Sequence, residues 1–484
     1  MHPNKNLSCD AIVVGTGLGG SSFAYGLSRH GFRVVVVDEG QPIQHHGADL
    51  SPVHVYKFAD KPYVGGLSKF YGAAMYRLRE IDFQSVEMEA GVSPEWPISY
   101  RELEPFYAEA ERLYKVHGSS ENDPTEPPRS TPWPHDPIPH QGPVCELVDR
   151  LTRRANVPVS FIPRALDYDP VRGRPCVLCQ HCDAYYCPRD AKVDAEVGAL
   201  RPAVGTGRVN VLHSTTCTRI LTTSDGKRAV GVLVRNGDEE FKIEAKIVAV
   251  SSGVMGTPVI LWRSRSDKHP RGLANASGTL GRNFAAHTQG WVFALKAAVQ
   301  RTPFHQKTFA INAFYNSAPD WPYPTGAIQS AGYIEPLGIS RRYRPFAAAL
   351  MYNSFHAFVM TEGIPGPETG FHLSDSQAIL MNPPKQNVRT FATLRRHAKR
   401  LFRAAGYPVF ATGVLETGWH GVGTARMGDD PAKSVIDPSC KAHDVEGLYV
   451  VDASALISPG AVNTGLTIAA NALRVAAHVA DTSR

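Results

Sequence analysis

The chain of 484 residues contains no run of eighteen consecutive apolar residues, which excludes a hydrophobic membrane-spanning helix. Its start, Met1 to Asp10, lacks the charged opening and apolar stretch of a secretory leader, so a cytoplasmic location is expected. An excess of one charge is also missing. Lys and Arg number 51 against 45 Asp and Glu, a net charge of +6 with no concentrated basic block, and this argues against a nucleic-acid partner. Cysteine is scarce: of eight, Cys9, Cys145, Cys217 and Cys440 are scattered, which excludes a disulfide-framed mini-protein. The 42 glycines and 37 prolines are dispersed, so they mark turns and no low-complexity tract. What remains is an ordinary globular composition, 43% hydrophobic and 20% charged, with length for about three domain-sized units.

The strongest local signal lies near the start. Ala11 to Val14 is a short apolar run, as expected of a strand buried on both faces. Gly15-Thr-Gly17-Leu-Gly-Gly20 follows, then a helical stretch to about His30, then a second apolar strand, Val34 to Val37, ending at Asp38. Strand, glycine turn, helix, strand and acid in this order form a dinucleotide-binding unit. Gly15 permits the tight turn, Gly17 lets the backbone approach a pyrophosphate, and Gly20 lets the helix pack against the sheet. Asp38 can then accept from ribose hydroxyls; Glu39 is the competing acid, but it points the other way if the strand continues.

The far end carries a second set of motifs. Trp419-His420-Gly-Val-Gly-Thr-Ala-Arg426-Met-Gly428 precedes a strand, Leu448 to Val451, then Asp452-Ala453-Ser454, and Asn463-Thr464-Gly-Leu-Thr467 opens a helix to about Val479. This succession resembles the glucose–methanol–choline (GMC) family of FAD oxidoreductases, except that Thr464 stands where the family has proline. Gly65-Gly66-Leu67-Ser68 to Arg77 resembles the family's first signature, with Tyr71-Gly72 in place of Asn-Gly. Ser252 to Pro258 resembles its second, and Gly281-Arg-Asn283 with His287 resembles the segment closing that region. The resemblance runs from about residue 8 to 480.

The resemblance implies FAD as cofactor, held through Gly15, Gly17, Gly20, Asp38, Gly65, Gly66, Ser68, Gly72, Cys217, Gly253, Asp452, Ala453 and Thr464. It implies oxidation of an alcohol to a carbonyl, with hydride passing to flavin N5. His420 is then the base that removes the hydroxyl proton, and Asn463 the second polar group on the substrate oxygen. Imidazole suits the first role because it titrates near neutrality, and an amide can donate to a developing alkoxide without competing for its proton. Within the family the chain resembles bacterial dehydrogenases acting on polar substrates, including those that oxidise a sugar hydroxymethyl in aminoglycoside biosynthesis. The implied partners are a small-molecule alcohol and an electron acceptor, either oxygen or a carrier. An oxidase of sterols or aliphatic alcohols, a lyase and an electron-transfer flavoprotein are the alternatives on the same fold.

The remaining cysteines form a cluster, Cys176-x-x-Cys179-x-x-Cys182-x4-Cys187-Pro188, one residue longer than a bacterial ferredoxin run. Four thiolates so spaced can hold an iron–sulfur cluster or zinc, or can form a metal-free knuckle over the flavin. Lys192, just beyond, is expected to face solvent. Ser99-x-x-Glu102 is a capping box ahead of a helix with Leu103, Phe106, Tyr107 and Ala110 on one face. Residues 285 to 415 alternate aromatic and polar residues, as in an antiparallel sheet with one covered face. The basic helix around Leu394 to Arg403 is read as a solvated face or a docking surface for an acidic electron-transfer partner.

The fold class expected is α/β: a Rossmann-like FAD-binding domain interleaved with an α+β substrate domain on an antiparallel sheet. Residues 1–80, 190–284 and 416–484 would form the FAD-binding domain. Residues 81–189 would supply a helix, an extended segment and a cysteine-rich lid, and 285–415 the substrate-binding domain.

Overall fold

The computed structural model describes residues 9–44, 51–55, 61–179, 181–296, 305–334, 340–415 and 420–483. Trp419, part of the C-terminal motif, and Phe304 lie outside them.

Two sheets organise the chain. The first has five parallel strands in the order Val209–Leu212, Val34–Val37, Ala11–Val14, Ile247–Val250 and Leu448–Val450. The strands Ala11–Val14, Val34–Val37 and Ile247–Val250 are buried at every residue, which is why they read as unbroken apolar runs and not as alternating ones. Strands from the two ends of the chain share this sheet, so the glycine turn and the C-terminal motifs come to the same edge. The helix Leu18–Arg29 packs against the C-terminal helix Gly465–Thr482, with Gly26 against Ala476; a Cβ at Gly26 would lie 2.6 Å from the Ala476 methyl.

The second sheet is antiparallel, in the order Val409–Ala411, Thr288–Leu295, Ser354–Thr361, Ala327–Ser330, Phe309–Ile311 and Ser160–Phe161. Its last strand comes from the 81–189 segment. The period of two sorts its side chains into two groups. Val292, Ala294, Ala357 and Val359 pack with Leu394, Ala398 and Phe402 of the helix Val388–Ala404, while Trp291, Phe293, Phe358 and Met360 form a separate cluster on the other face. Both faces are covered, contrary to the single covered face expected, because the helix Val388–Ala404 lies on one and the helix Arg344–Tyr352, through Met351, packs on the other. The helix Tyr100–Leu113 begins with the Ser99–Glu102 capping box, and its Glu104 and Glu111 pair with the buried Arg77 at 2.9 and 2.8 Å. No helix among the described residues is long and apolar enough to cross a membrane.

Candidate active site

The catalytic candidates are assembled by one pairing between the two halves. Ala285 and Val422 exchange backbone hydrogen bonds of 3.1 and 2.8 Å in an antiparallel bridge. Two residues further along the chain, in opposite directions, stand His287 and His420, so this register sets the two imidazoles opposite each other, their planes at 64°. Their Nδ1 atoms are 3.0 Å apart. His420 takes a left-handed backbone, φ 59°, a conformation uncommon for a residue with a Cβ. Asn463 stands two residues before the helix Gly465–Thr482, and its amide nitrogen lies 3.1 Å from His420 Nε2.

The hydrogen-bond partners fix the protons. His287 Nε2 lies 3.4 Å from the carbonyl of Pro459, which can only accept, so Nε2 carries the hydrogen. Burial pushes the His287 pKa down to about 4, so the ring is neutral and its Nδ1 is bare. That bare nitrogen accepts from His420 Nδ1–H. Burial, and then the neighbouring His287, hold His420 well below the usual imidazole value, so it too is neutral. Its Nε2 therefore presents a lone pair, beside the donating amide of Asn463. The Asn463 carbonyl oxygen is buried without a hydrogen-bond partner. Sequence reasoning assigned His287 to a closing segment; its role as the acceptor behind His420 depends on a pairing between residues 133 positions apart.

The cofactor candidates fall into two groups. Gly15, at φ 106°, and Gly20 are required by the protein itself: a Cβ on them would lie 2.2 Å from the Ser251 carbonyl oxygen and 2.0 Å from that of Gly15. Gly17 has φ −64°, open to any residue, and a Cβ there would meet no atom within 4 Å. The protein's own packing does not demand glycine at this position; a phosphate backed against the turn does. The helix Leu18–Arg29 that begins here has no side-chain cap, which leaves its amino end for an anion. Ser251 beside it has a buried hydroxyl with no partner.

Asp38 accepts from the Thr16 N–H and hydroxyl at 2.7 and 2.6 Å and from the Gly40 N–H at 2.7 Å, so its carboxylate already fastens the turn to the strand end. The Thr16 hydroxyl accepts in turn from Gly65 N–H at 2.9 Å, and Gly66 lies with its Cβ position 3.5 Å from Gly17 Cα. Cys217 is buried at the start of the strand Thr216–Thr222, two residues after Thr215, whose N–H donates to the Asp38 carbonyl. Asp452 accepts from Gly253 N–H, the Thr257 hydroxyl and Ser454 N–H at 2.7, 2.6 and 2.8 Å, which draws the second glycine segment onto the last strand. Ala453 accepts from Gly423 N–H, and Thr464 caps the C-terminal helix without a side-chain bond.

Two candidates serve neighbouring protein groups. Ser68 donates to the Gly65 carbonyl and accepts from Ala195 N–H, so its hydroxyl ties the first signature to the segment after the cysteines. Gly72 is overlain by the Asp183–Lys307 ion pair; a Cβ there would fall 1.9 Å from Asp183 Oδ1.

Cys176, Cys179, Cys182 and Cys187 line one cleft with His181 and Lys192. Among the described residues no three His, Cys, Asp or Glu side chains converge to hold a metal, and all four cysteines are free thiols. The iron–sulfur expectation therefore finds no support: Cys176 is buried and Cys179 exposed, and the loop does not turn its sulfurs to one centre. Lys192 corrects the solvent-facing expectation. It is buried, and its ammonium donates to the carbonyls of Tyr71, Cys182 and Tyr185, pinning the cysteine loop to the first signature.

Fold and site together describe a nucleotide-binding oxidoreductase with a histidine pair at the junction of its two sheets. Family models for GMC oxidoreductases match residues 63–289 and 377–472, and one for NAD(P)-binding Rossmann-like domains matches residues 13–43. The chain belongs to the GMC oxidoreductase family, whose members bind FAD and act on CH–OH groups. Its relatives include 6'''-hydroxyparomomycin C oxidase of Streptomyces lividus, 26% identical over 97% of this chain and 92% of that protein. Paromamine 6'-oxidase of Streptomyces fradiae is 27% identical over 97% and 91%, and the fructose dehydrogenase large subunit of Gluconobacter japonicus 24% over 98% of both. The crystal structure of pyridoxine 4-oxidase from "Mesorbium loti" shares the fold, with a TM-score of 0.64 over 97% of this chain and 99% of that one at 16% identity.

Proposed function

We propose that this enzyme oxidises a hydroxyl of a sugar, polyol or aminated sugar to a carbonyl, with His420 as the base. The observation that carries the reading is the proton order fixed from the Pro459 carbonyl through His287 to His420, which leaves the Nε2 lone pair as the acceptor of the Asn463 amide. A neutral imidazole in this state takes the hydroxyl proton, and the Asn463 N–H holds the oxygen as charge develops on it. His287 keeps the correct His420 tautomer and remains in hydrogen-bond contact when His420 becomes charged. FAD, when bound, supplies the hydride acceptor. Gly15, Gly17 and Gly20 with the helix that follows would hold its pyrophosphate, and Gly65, Gly66, Gly253, Asp452 and Ala453 would line the rest of its path towards Asn463. Asp38 and Ser68 support this cradle through the hydrogen bonds described above, and Gly72, Cys217 and Thr464 would lie along it.

The substrate class rests on the relatives, three of which are named for aminoglycoside or sugar substrates. An anaerobic screen of the yellow holoenzyme against sugars, aminocyclitols, aminated sugars, sterols and aliphatic alcohols tests it. Bleaching of the flavin by members of the first three groups is the expected result. Bleaching only by sterols or aliphatic alcohols would overturn the substrate class, and bleaching by none would overturn the oxidation itself.

A further inference from the structure

The loop with the clustered cysteines contains two overlapping Cys-x-x-Cys spacings, Cys176 to Cys179 and Cys179 to Cys182. The thiols are free and line one cleft of about 40 Å³. Cys179 is exposed, Cys182 half-buried and Cys176 buried. Residues 176–179 and 181–182 belong to no helix or strand, so no sheet ladder or helix resists a local change in their backbone.

Both ends of this loop are fastened to other elements. The Cys176 N–H donates to the Asp167 carbonyl at 2.9 Å. At the far end the Cys182 carbonyl accepts from Lys192 at 3.2 Å and from Tyr185 N–H at 3.2 Å, and the next residue, Asp183, is held by Lys307 at 2.6 Å and by Gly332 N–H at 2.9 Å. Cys179 lies between them and bonds to its neighbour His181: the ring Nδ1 is 2.7 Å from the Cys179 carbonyl, and the ring and backbone of His181 also bond to the sulfur. Burial raises the Cys179 thiol, but the bonds to His181 outweigh it and hold the group below its ordinary value. Burial raises the Cys182 thiol too; Arg164 and Lys192 act against that rise and the charge of Cys179 adds to it, which puts the two sulfurs within electrostatic reach of each other. Cys176 is pushed by burial up to about 12.

We propose that Cys179 and Cys182 are a modification site for hydroperoxides, at which the exposed Cys179 reacts first and Cys182 closes a reversible disulfide with it. The Cys179 thiolate attacks one oxygen of hydrogen peroxide; the O–O bond breaks, the hydroxide that leaves is protonated to water, and Cys179 becomes a sulfenic acid. The Cys182 sulfur then attacks the Cys179 sulfur, the S–O bond breaks, and the hydroxyl leaves with the Cys182 proton as a second water. Two thiols lose two electrons and the peroxide gains them. Cys182 is the partner because Arg164 and Lys192 favour its thiolate, whereas Cys176 is buried and held protonated. The bond needs Cα atoms roughly 4.4–6.8 Å apart. Cys179, exposed on irregular chain, supplies the movement, while Lys192 and Asp183 keep Cys182 in place. The Lys192 bond to the Tyr71 carbonyl of the first signature is therefore kept in both states.

The test uses the holoenzyme, reduced, freed of reductant and treated with equimolar hydrogen peroxide. Iodoacetamide then labels the remaining thiols, and after reduction N-ethylmaleimide labels those that had been oxidised; fragmentation of the peptide 173–189 assigns each label. Cys179 and Cys182 should change label together, and dithiothreitol added before the iodoacetamide should restore both. In Cys182→Ser, dimedone should trap a sulfenic acid on Cys179. In Cys179→Ser, oxidation of Cys182 should slow about tenfold or more, since the reactive thiolate is gone. The flavin absorption should be the same before and after oxidation. Pairing of Cys179 with Cys176 or Cys187, iodoacetamide labelling unchanged at all four thiols, or oxidation of Cys182 at the wild-type rate in Cys179→Ser would overturn the couple. Stoichiometric iron or zinc on the thiols would overturn it as well, and release of FAD on oxidation would refute the fixed position of Cys182. The wild-type map decides the pairing even where a variant fails to fold.

Discussion

Replacing His287 by Phe removes the group that accepts from His420 Nδ1–H at 3.0 Å and leaves that donor buried without a partner. An unsatisfied buried donor costs about 1–3 kcal/mol. The alternative tautomer escapes that cost only by placing a hydrogen on Nε2, where the lone pair is needed. Either way the base is weakened by that amount, so the anaerobic rate of flavin reduction should fall about 5- to 150-fold, each 1.36 kcal/mol being tenfold. Substrate affinity should change little, because His287 is behind His420 and bonds to Pro459. His287→Gln, whose side-chain oxygen can accept, should recover part of the rate. The pH profile gives an independent reading. The active form of His420 is neutral and its pKa is depressed by burial and by His287, so the rate should be flat through neutrality and fall only in acid. A carboxylate in His287→Glu would favour protonated His420 and move that acid limb upward. A full wild-type rate in His287→Phe, or no difference between the Gln and Phe variants, would refute the tautomer argument.

The glycine turn separates ligand from packing. Gly17→Ala should leave the apoprotein's Tm nearly unchanged but lower FAD retention on purification, whereas Gly20→Ala should destabilise the apoprotein itself, since its Cβ would overlap the Gly15 carbonyl; equal effects on both would contradict the assignment. Among the clustered cysteines, Cys179 should alkylate first. Burial raises its pKa, but hydrogen bonding to His181 outweighs that and holds the exposed thiol below its ordinary value, so timed iodoacetamide labelling with peptide mapping should find it ahead of Cys176 and Cys182. Stoichiometric iron and acid-labile sulfide in anaerobically prepared protein would instead overturn the free-thiol description.

The fold was legible in the sequence wherever one short segment carries its own physics. The apolar strand, the glycine turn and Asp38 define a local unit, and the Ser99–Glu102 box starts a helix within four residues. His420 and Asn463 were legible through their place in a longer succession of motifs. What stayed hidden depends on distant pairings. Lys192 looks like any solvent-facing lysine until three carbonyls from residues 71, 182 and 185 surround it. His287 gains its meaning only when the Ala285–Val422 bridge forms. The cysteine spacing left a metal or a metal-free knuckle open because spacing reports proximity along the chain; whether the sulfurs converge depends on the folded loop, and among the described residues no three metal-ligating side chains do.

The most direct test of the central claim is the anaerobic rate of flavin reduction by an oxidisable sugar or aminated sugar in His420→Ala, with the FAD content matched to that of the wild type. Loss of a positioned general base predicts a fall of about 10²- to 10⁴-fold, with FAD still bound. An unchanged rate in the FAD-loaded variant would contradict the role of His420 and the proton order derived from the Pro459 carbonyl.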